Sequence, residues 1–334
     1  MDVAQRIVLF GDGKWAANSL ARLHEVGFVM VGVVVRTRPS DDSLSDEAGA
    51  LNVPIFQPPA VNSTDFLAMV SSLAPDLCLS ISYDQILRAP LLATPRLGFV
   101  NFHAGKLPRY RGRNIINWAI INGEPEIGLT AHFMDEGIDT GDIILQKTFS
   151  ITWSDTYGTV LQRIVEAFPE FVLEAVKQVA TGSARPVKQE LVQGTYFGGR
   201  ENGDEWLDWS DTSTNLYNKI RAITHPGPGA RTLDDDKEVI IWNSAYDTSW
   251  PKYIATPGQV VGRDAAGALV KTGDSVLLVT EIQFQNCECE VPAWRIGTRL
   301  GMNPMRIYKT LMKRIEELES QLSGDNDRSR GRDK

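Results

Sequence analysis

The chain has 334 residues, 43% of them hydrophobic and 23% charged, which fits two folded domains and excludes general disorder. Its 34 basic and 42 acidic residues give a formal charge of −8, which disfavours a nucleic-acid partner held by a basic surface. No apolar run approaches the roughly 18 residues that cross a bilayer, and the first residues lack a signal-peptide pattern. Three cysteines, an odd number, favour a reducing compartment. We therefore expect a cytoplasmic protein without membrane insertion.

Apolar, β-branched runs alternate with amphipathic segments through the first half of the chain. Such alternation is typical of a parallel sheet covered by helices on both faces. It predicts strands at residues 6–10, 28–35, 53–56, 77–83, 98–103, 128–134 and 142–151, and helices at 14–26, 114–122 and 157–180. Pro169 is expected to bend or restart the last helix, and Asn114 to cap the helix that follows it. We predict an α/β, Rossmann-like domain with a mostly parallel sheet over residues 1–182.

The second half of the chain differs in composition and in predicted elements. Residues 183–204 are polar and rich in glycine, which predicts a linker. A helix is expected at 213–223, and several short strands follow, at residues 239–242, 259–263, 268–271 and 276–284. This spacing favours a small OB-like β-barrel over residues 205–311. The remaining residues, 312–334, predict a charged helix and a disordered tail.

A glycine-rich turn follows the first predicted strand. The segment from Gly11 to Ala16 fits G-x-G-x-x-A, the pattern of a dinucleotide site. That site needs an acidic residue about 20 positions further on to hold the ribose, and the second strand ends instead in Val35-Arg36-Thr37-Arg38, with no Asp or Glu there. A tight turn without nucleotide is the better interpretation, and an NADP-dependent oxidoreductase that uses Arg36 remains an alternative.

Three polar residues suggest chemistry at one end of the sheet. Asn101 and His103 are two apart on a strand, so they point to the same face near its carboxyl end, where ligands bind in open α/β sheets. Asp139 lies in a loop between two later strands and can approach the same place. An amide that steadies an oxyanion, an imidazole base and a carboxylate together suit acyl transfer to an amine.

The residues around these positions resemble a known family. The motifs are N-F-H-A-x-x-L-P-x-Y-R-G, W-A-I-I-N-G-E and H-F-M-D-x-G-I-D-T-G-D-I, all within residues 101–144. They resemble the formyltransferases that use 10-formyltetrahydrofolate, and the resemblance covers residues 6–180 well and the second half more loosely. It implies that Asn101, His103 and Asp139 are catalytic. One departure is that Gly105-Lys106 stands where the family usually has Ser-Leu before Leu-Pro.

The resemblance also implies where the formyl donor, 10-formyltetrahydrofolate, would bind. Two loops would hold its pterin through backbone groups, and the residues carried over are Ser82, Tyr83, Ile86, Leu87, Met134, Asp135, Gly137 and Gly141. No metal is expected, because Cys287 and Cys289 lack the further pair that would complete four ligands.

The acceptor must be predicted from other features. Four cations lie within eight residues beside the proposed site, and they suit a diphosphate or, equally, salt bridges that hold the loop: Lys106, Arg109, Arg111 and Arg113. The loop at residues 36–47 has four acids and two arginines, which disfavours tRNA. Among the acceptors that the resemblance implies, these features favour a nucleotide-linked amino sugar, N-formylated for cell-surface polysaccharide biosynthesis, with no nucleic-acid partner. Methionyl-tRNA formyltransferase, an idle folate- or nucleotide-binding module and a homodimer remain open.

Overall fold

The computed structural model describes residues 5–302, 308 and 311–320. The described residues form two compact units. The first contains those up to Asp204 together with Arg221–Pro228, and the second contains Glu205–Ile220 and the described residues from Gly229 onward. None of the described helices is both long and apolar enough to cross a membrane.

A seven-stranded sheet forms the centre of the first unit. Its order is β3-β2-β1-β4-β5-β7-β8, in which the first five strands are parallel and the last two run antiparallel to their neighbours. The strands are β1 (Arg6–Gly11), β2 (Val29–Val35), β3 (Ile55–Phe56), β4 (Leu77–Ile81), β5 (Phe99–His103), β6 (Arg111–Gly112, outside this sheet), β7 (Glu126–Phe133), β8 (Ile143–Ser150) and β9 (Tyr196–Phe197, also outside it). The predicted mostly parallel α/β sheet is confirmed.

Six α-helices lie among the described residues of this unit: α1 (Gly13–Glu25), α2 (Ser43–Ala50), α3 (Thr64–Ser72), α4 (Ala89–Leu92), α5 (Ile115–Ile121) and α6 (Tyr157–Ala180). Helix α6 continues through Pro169 instead of restarting there, with Phe168 and Val172 buried on either side of it. Burial of this apolar face outweighs the hydrogen bond that proline removes. Asn114 precedes α5 in a left-handed conformation and does not cap it, because its Oδ1 accepts from the Arg200 amide at 3.0 Å.

The segment predicted as a linker, 183–204, belongs to the first unit. Strand β9 lies within it and pairs in parallel with β6, so that the ring of Phe197 stacks on Tyr110 with centroids 5.0 Å apart. A Cβ on Gly112, whose φ is +104°, would lie 2.0 Å from the Phe197 carbonyl oxygen, so this close pairing requires glycine. The polar, glycine-rich composition of residues 183–204 therefore reflects close packing against the first unit and not a free linker.

The second unit is an antiparallel β domain, as predicted. Its strands are β10 (Ala230–Asp234), β11 (Lys237–Ala245), β12 (Val260–Arg263), β13 (Ala268–Lys271), β14 (Val276–Phe284) and β15 (Cys289–Glu290), and α7 (Ser213–Ile223) begins in it. The main path is β10-β11-β14-β13-β12. Leu300 bridges Asp234 on one edge strand, and Arg299 bridges Gln259 next to the other, so the 299–300 segment contacts both edges of the sheet.

Residues 308 and 311–320 are helical and exposed, which agrees with the start of the predicted charged helix. The rest of the helix and the tail predicted up to residue 334 lie outside the described residues.

Candidate active site

A cavity of about 1010 Å³ lies in the first unit, at the carboxyl ends of β4 and β5. Its walls come from segments that are far apart in the sequence: residues 82–86 after β4, 101–104 at the end of β5, 112–117, 138–139, and 196 and 199–201 in the segment predicted as a linker. This is the position at which open α/β sheets bind ligands. The volume is at the upper end of the range for small-molecule sites and provides room for two substrates.

The structure brings Asn101, His103 and Asp139 together at this cavity, and all three line it. Asn101 Nδ2 donates to Asp139 Oδ1 at 3.2 Å, and His103 Nδ1 lies 3.6 Å from Asp139 Oδ2. Asp139 has a φ of +53°, a left-handed conformation that costs a residue with a Cβ about 1–2 kcal/mol. This backbone conformation persists because the surrounding contacts fix the loop in place.

Asp139 remains a carboxylate. Burial alone would raise its pKa, but the positive charge that His103 carries when protonated and the amide of Gly112 together hold that pKa well below its ordinary value. The Gly112 amide donates to Oδ2 at 2.9 Å. A carboxyl group this acidic is unsuited to be the base that removes a proton from an amine near neutral pH.

His103 is held by the loop that follows it. Its Nε2 lies 2.6 Å from the carbonyl oxygen of Tyr110. A carbonyl only accepts, so this contact assigns the hydrogen to Nε2 and leaves Nδ1, beside Asp139, as the nitrogen that can take a proton. A Cβ on Gly105 would lie 2.4 Å from His103 Nε2 and 2.5 Å from the Tyr110 oxygen. Glycine at this position, where the resembled family usually has serine, therefore leaves room for the contact.

Of the residues predicted to bind the donor, three line the cavity: Ser82, Tyr83 and Ile86. Ser82 adopts a φ of +57°, and its carbonyl accepts from Arg36 Nη2. Tyr83 packs edge-on against Phe10, and Ile86 is 69% exposed. These positions present backbone and apolar surface to a ligand.

The other five predicted donor-binding residues shape the loops from behind the cavity wall. Leu87 is buried in the core, and Met134 packs against it. Asp135 Oδ1 accepts from the Gly137 amide at 3.0 Å and from Thr140 Oγ1 at 2.6 Å, which closes the turn before Asp139. A Cβ on Gly141 would lie 1.9 Å from the Phe133 carbonyl oxygen. Direct contact with the donor therefore stays a prediction for these residues.

The four predicted substrate-binding cations do not gather at the cavity. Lys106 is ion-paired with Glu126, and Arg109 is exposed away from the cavity wall. Arg111 is half-buried against Gly194, where an added Cβ would lie 2.5 Å from its Nη2. Arg113 alone of the four lines the cavity, and its Nη2 donates to the Asp84 carbonyl at 3.2 Å. Spacing along the sequence did not reveal that the loop directs these side chains to different surroundings.

Two further residues of the site were missed by the sequence analysis. His132, on β7, lies directly opposite Asn101 and contacts both Asn101 and Asp139. Gln189, 6% exposed, donates from Nε2 to the carbonyls of Asp139 at 3.0 Å and Gly141 at 2.6 Å. For His132, the only sequence signal was the imidazole of the H-F-M-D motif. For Gln189 the sequence offered no signal.

Arg36, the residue that the oxidoreductase alternative requires, is engaged inside the protein. Its Nη1 lies 3.0 Å from Asp12 Oδ2. Among the described residues, no group of three or more His, Cys, Asp or Glu side chains is placed to hold a metal ion.

An α/β sheet that collects an amide, two imidazoles and a charged carboxylate at its strand ends, in a chain with an antiparallel β domain, defines a two-domain enzyme built for acid–base chemistry. The chain matches the formyl transferase family over residues 5–176 and the formyl transferase C-terminal domain over residues 201–294. It belongs to the formyl transferase family and is a formyltransferase. Formyltetrahydrofolate is the formyl donor typical of this family.

Curated relatives match most of the chain. Methionyl-tRNA formyltransferase of Pelotomaculum thermopropionicum is 36% identical over 288 residues, covering 84% of this chain and 91% of that protein. The enzyme of the same name from Bacillus subtilis is 34% identical over 287 residues, covering 83% and 90%.

Solved structures share the fold at lower identity. A sugar 3-N-formyltransferase, crystallised with dTDP and 5-N-formyltetrahydrofolate, superimposes with a TM-score of 0.66 at 21% identity, over 86% of this chain and all of that one. An N-formyltransferase from Helicobacter canadensis, in complex with folinic acid and dTDP-3-aminofucose, gives 0.65 at 19% identity, over 84% and 99%.

Proposed function

We propose that the protein transfers the formyl group of 10-formyltetrahydrofolate to the amino group of methionyl-tRNA. The observation that carries this proposal is the length of the match to methionyl-tRNA formyltransferases, which extends through both units. Eight such relatives are 31–36% identical and cover 83–89% of this chain and 87–94% of their own lengths. The amino-sugar acceptor expected from the sequence is less well supported than methionyl-tRNA, which the sequence analysis kept as the alternative.

The cavity has the character that the donor requires. Ile86 and Ile138 are both exposed and both line it, so they offer apolar surface to a flat ring system. The left-handed backbone at Ser82 lies at the same wall, and the turn closed by Asp135 leads into Ile138 and Asp139, which also line it. We assign these two loops to the donor, with Asn101 and His103 facing its formyl group.

The side chains divide the chemistry between them. The acceptor amine attacks the carbon of the formyl group that the donor supplies. The bond from that carbon to the folate nitrogen breaks, and the proton that the amine loses passes by way of His103 to this nitrogen, so that tetrahydrofolate leaves. His103 takes the proton released by the amine at Nδ1, and the Asp139 carboxylate, 3.6 Å away, balances the charge that forms on the ring. Asn101, on the same strand as His103, contacts the formyl group and the acceptor amine. Asp139 stays ionised throughout, since its pKa is already far below the ordinary value.

One observation keeps a nucleotide-linked amino sugar as a second candidate. The loop at residues 36–47, which begins at the edge of the cavity, has four acids, and one of its two arginines, Arg36, is paired with Asp12. Binding of tRNA draws much of its free energy from cations beside phosphates, and this loop offers few. A sugar diphosphate needs only a local contact such as Arg113, which lies at the cavity wall.

A competition between acceptors tests the proposal. Purified full-length protein is supplied with 10-formyltetrahydrofolate and either methionyl-tRNA or a panel of nucleotide-linked amino sugars, and the formylated product is identified by mass spectrometry. We expect turnover with methionyl-tRNA, with a KM that rises steeply with salt because phosphate contacts are lost. Turnover confined to an amino sugar, and no formyl-methionyl-tRNA, would refute the tRNA acceptor and establish the second candidate.

A further inference from the structure

His132 is the one imidazole of the site for which no role has been given. It lies on β7 directly opposite Asn101, is 2% exposed and does not line the cavity described above. It therefore cannot touch a substrate in that cavity, but it touches two residues that do line it. We propose that His132 is a positioning residue that fixes the orientation of the Asn101 carboxamide and so selects which of its atoms meets the acceptor amine.

The hydrogen-bond partners of the His132 ring determine its tautomer. Nδ1 lies 2.7 Å from the carbonyl oxygen of Phe133, which can only accept, so the hydrogen is on Nδ1. In the neutral ring Nε2 then carries a lone pair. Asn101 Nδ2 lies 3.1 Å from this nitrogen and donates to it, whereas Asp139 Oδ1, at 3.5 Å, lies beyond the ordinary length of an N–H···O hydrogen bond.

The second hydrogen of the Asn101 amide is also committed. Nδ2 donates to Asp139 Oδ1 at 3.2 Å, and a carboxylate is only an acceptor. A flipped amide would place its oxygen against the His132 lone pair and a carboxylate oxygen, and both contacts would be repulsive. Both amide hydrogens are therefore used inside the protein, and Oδ1 is the atom available to the cavity.

This arrangement revises the role predicted for Asn101 from the sequence. An amide with no free hydrogen cannot donate to an oxyanion, but its oxygen can accept a hydrogen from the attacking amine. Such a contact directs the lone pair of the amine toward the formyl carbon, and misplacement of a reacting group by about 1 Å can cost about 100-fold in rate. The inference depends on the proposed formyl transfer at this site, and not on which acceptor is used.

Two substitutions of similar chemistry separate positioning from structural support. His132→Asn keeps a donor for the Phe133 carbonyl but has no atom at the position of Nε2, whereas His132→Gln restores an amide oxygen near that position. We expect H132N to lower kcat about 10- to 100-fold with nearly unchanged KM for the donor. H132Q should recover most of the loss. His24→Asn, on the exposed surface of α1, is the matched control.

A double-mutant cycle supplies the decisive readout. If His132 acts through Asn101, H132N should reduce kcat in the native background and should have little further effect in N101A. Donor affinity by calorimetry and melting temperature are measured for each variant, so that a folding defect is separated from a catalytic one. Equal loss in both backgrounds, or an H132Q variant as slow as H132N at equal Tm, would overturn the inference. Near-normal kcat in N101A would refute the proposed role of Asn101 itself and the inference with it.

Discussion

Replacement of Gln189 by leucine should damage the catalytic loop from outside the cavity. Gln189 lies in the segment whose composition predicted a linker, yet its Nε2 is the donor to the carbonyls of Asp139 and Gly141 at 3.0 and 2.6 Å. It thereby ties the backbone of Asp139, which has a φ of +53°, to the neighbouring segment. Leucine has a similar volume and no donor, so the substitution removes the two hydrogen bonds and little packing.

The expected magnitude follows from these two bonds. A buried carbonyl that loses its donor lowers the free energy of unfolding by about 1–3 kcal/mol. Part of this loss is offset, because Oε1 of Gln189 is buried without a partner among the described residues and leucine removes this unsatisfied atom. We therefore expect a net loss of about 2 kcal/mol in the free energy of unfolding. For a domain of this size that corresponds to a fall in Tm of about 4–8 °C. Relaxation of the left-handed backbone would also shift Asp139 away from His103, which should lower kcat about 10- to 100-fold.

Gln193 provides a matched control in the same segment. It is exposed, and its Nε2 donates at 2.6 Å to Glu190 on the surface, so Gln193→Leu should change Tm and kcat very little. Gln189→Glu tests the direction of the effect, since a carboxylate facing two carbonyl oxygens should be worse than leucine. Thermal melts and steady-state kinetics of the three variants provide the comparison. If Q189L behaves like Q193L in both measurements, the reasoning about this segment is refuted.

Three further predictions concern other parts of the first unit. His103→Ala should lower kcat by about 100-fold or more while calorimetry still detects donor binding, and near-normal turnover would exclude His103 as the base. Arg113→Ala should raise the KM for a phosphate-bearing acceptor about 10- to 100-fold, whereas Lys106→Ala, which only breaks the pair with Glu126, should not. Equal effects would contradict the cavity assignment. Burial would raise the pKa of Asp155, but hydrogen bonds led by the Thr152 amide hold it below its ordinary value, so its stabilisation is present above roughly pH 4 and is lost on further acidification. Asp155→Asn should therefore weaken the decrease of Tm at acid pH. An unchanged decrease would contradict the proposed contribution of Asp155.

The sheet could be predicted from the sequence because its signal is local. Each buried strand of the first unit is a continuous apolar run, such as Ile7–Phe10, where every side chain is fully buried. Asn101 and His103 were placed together for the same reason, since two residues on one strand share a face by their spacing alone.

His132 could not be placed by that argument. Its contact with Asn101 depends on the antiparallel register between β5 and β7, which are separated by a loop and a helix. The register is set by the packing of the whole sheet and is not contained in either strand. Gln189 lies 50 residues beyond Asp139, and its polar surroundings are those of an ordinary loop. The cations at residues 106–113 were grouped by sequence spacing, whereas their partners, such as Glu126, are distant in the chain.

The central demand of this site is a buried carboxylate that stays charged. Asp139 is 12% exposed, and such a group is stable only if donors surround it. The Gly112 amide and Asn101 Nδ2 supply two, and the His103 ring, 3.6 Å away, supplies a positive charge when it takes a proton. The same contacts that satisfy the carboxylate therefore orient the amide and the imidazole toward the cavity. Asn101 and His103 are each at once a support for Asp139 and a group with a task in formyl transfer, so a substitution at one of them should alter the other as well.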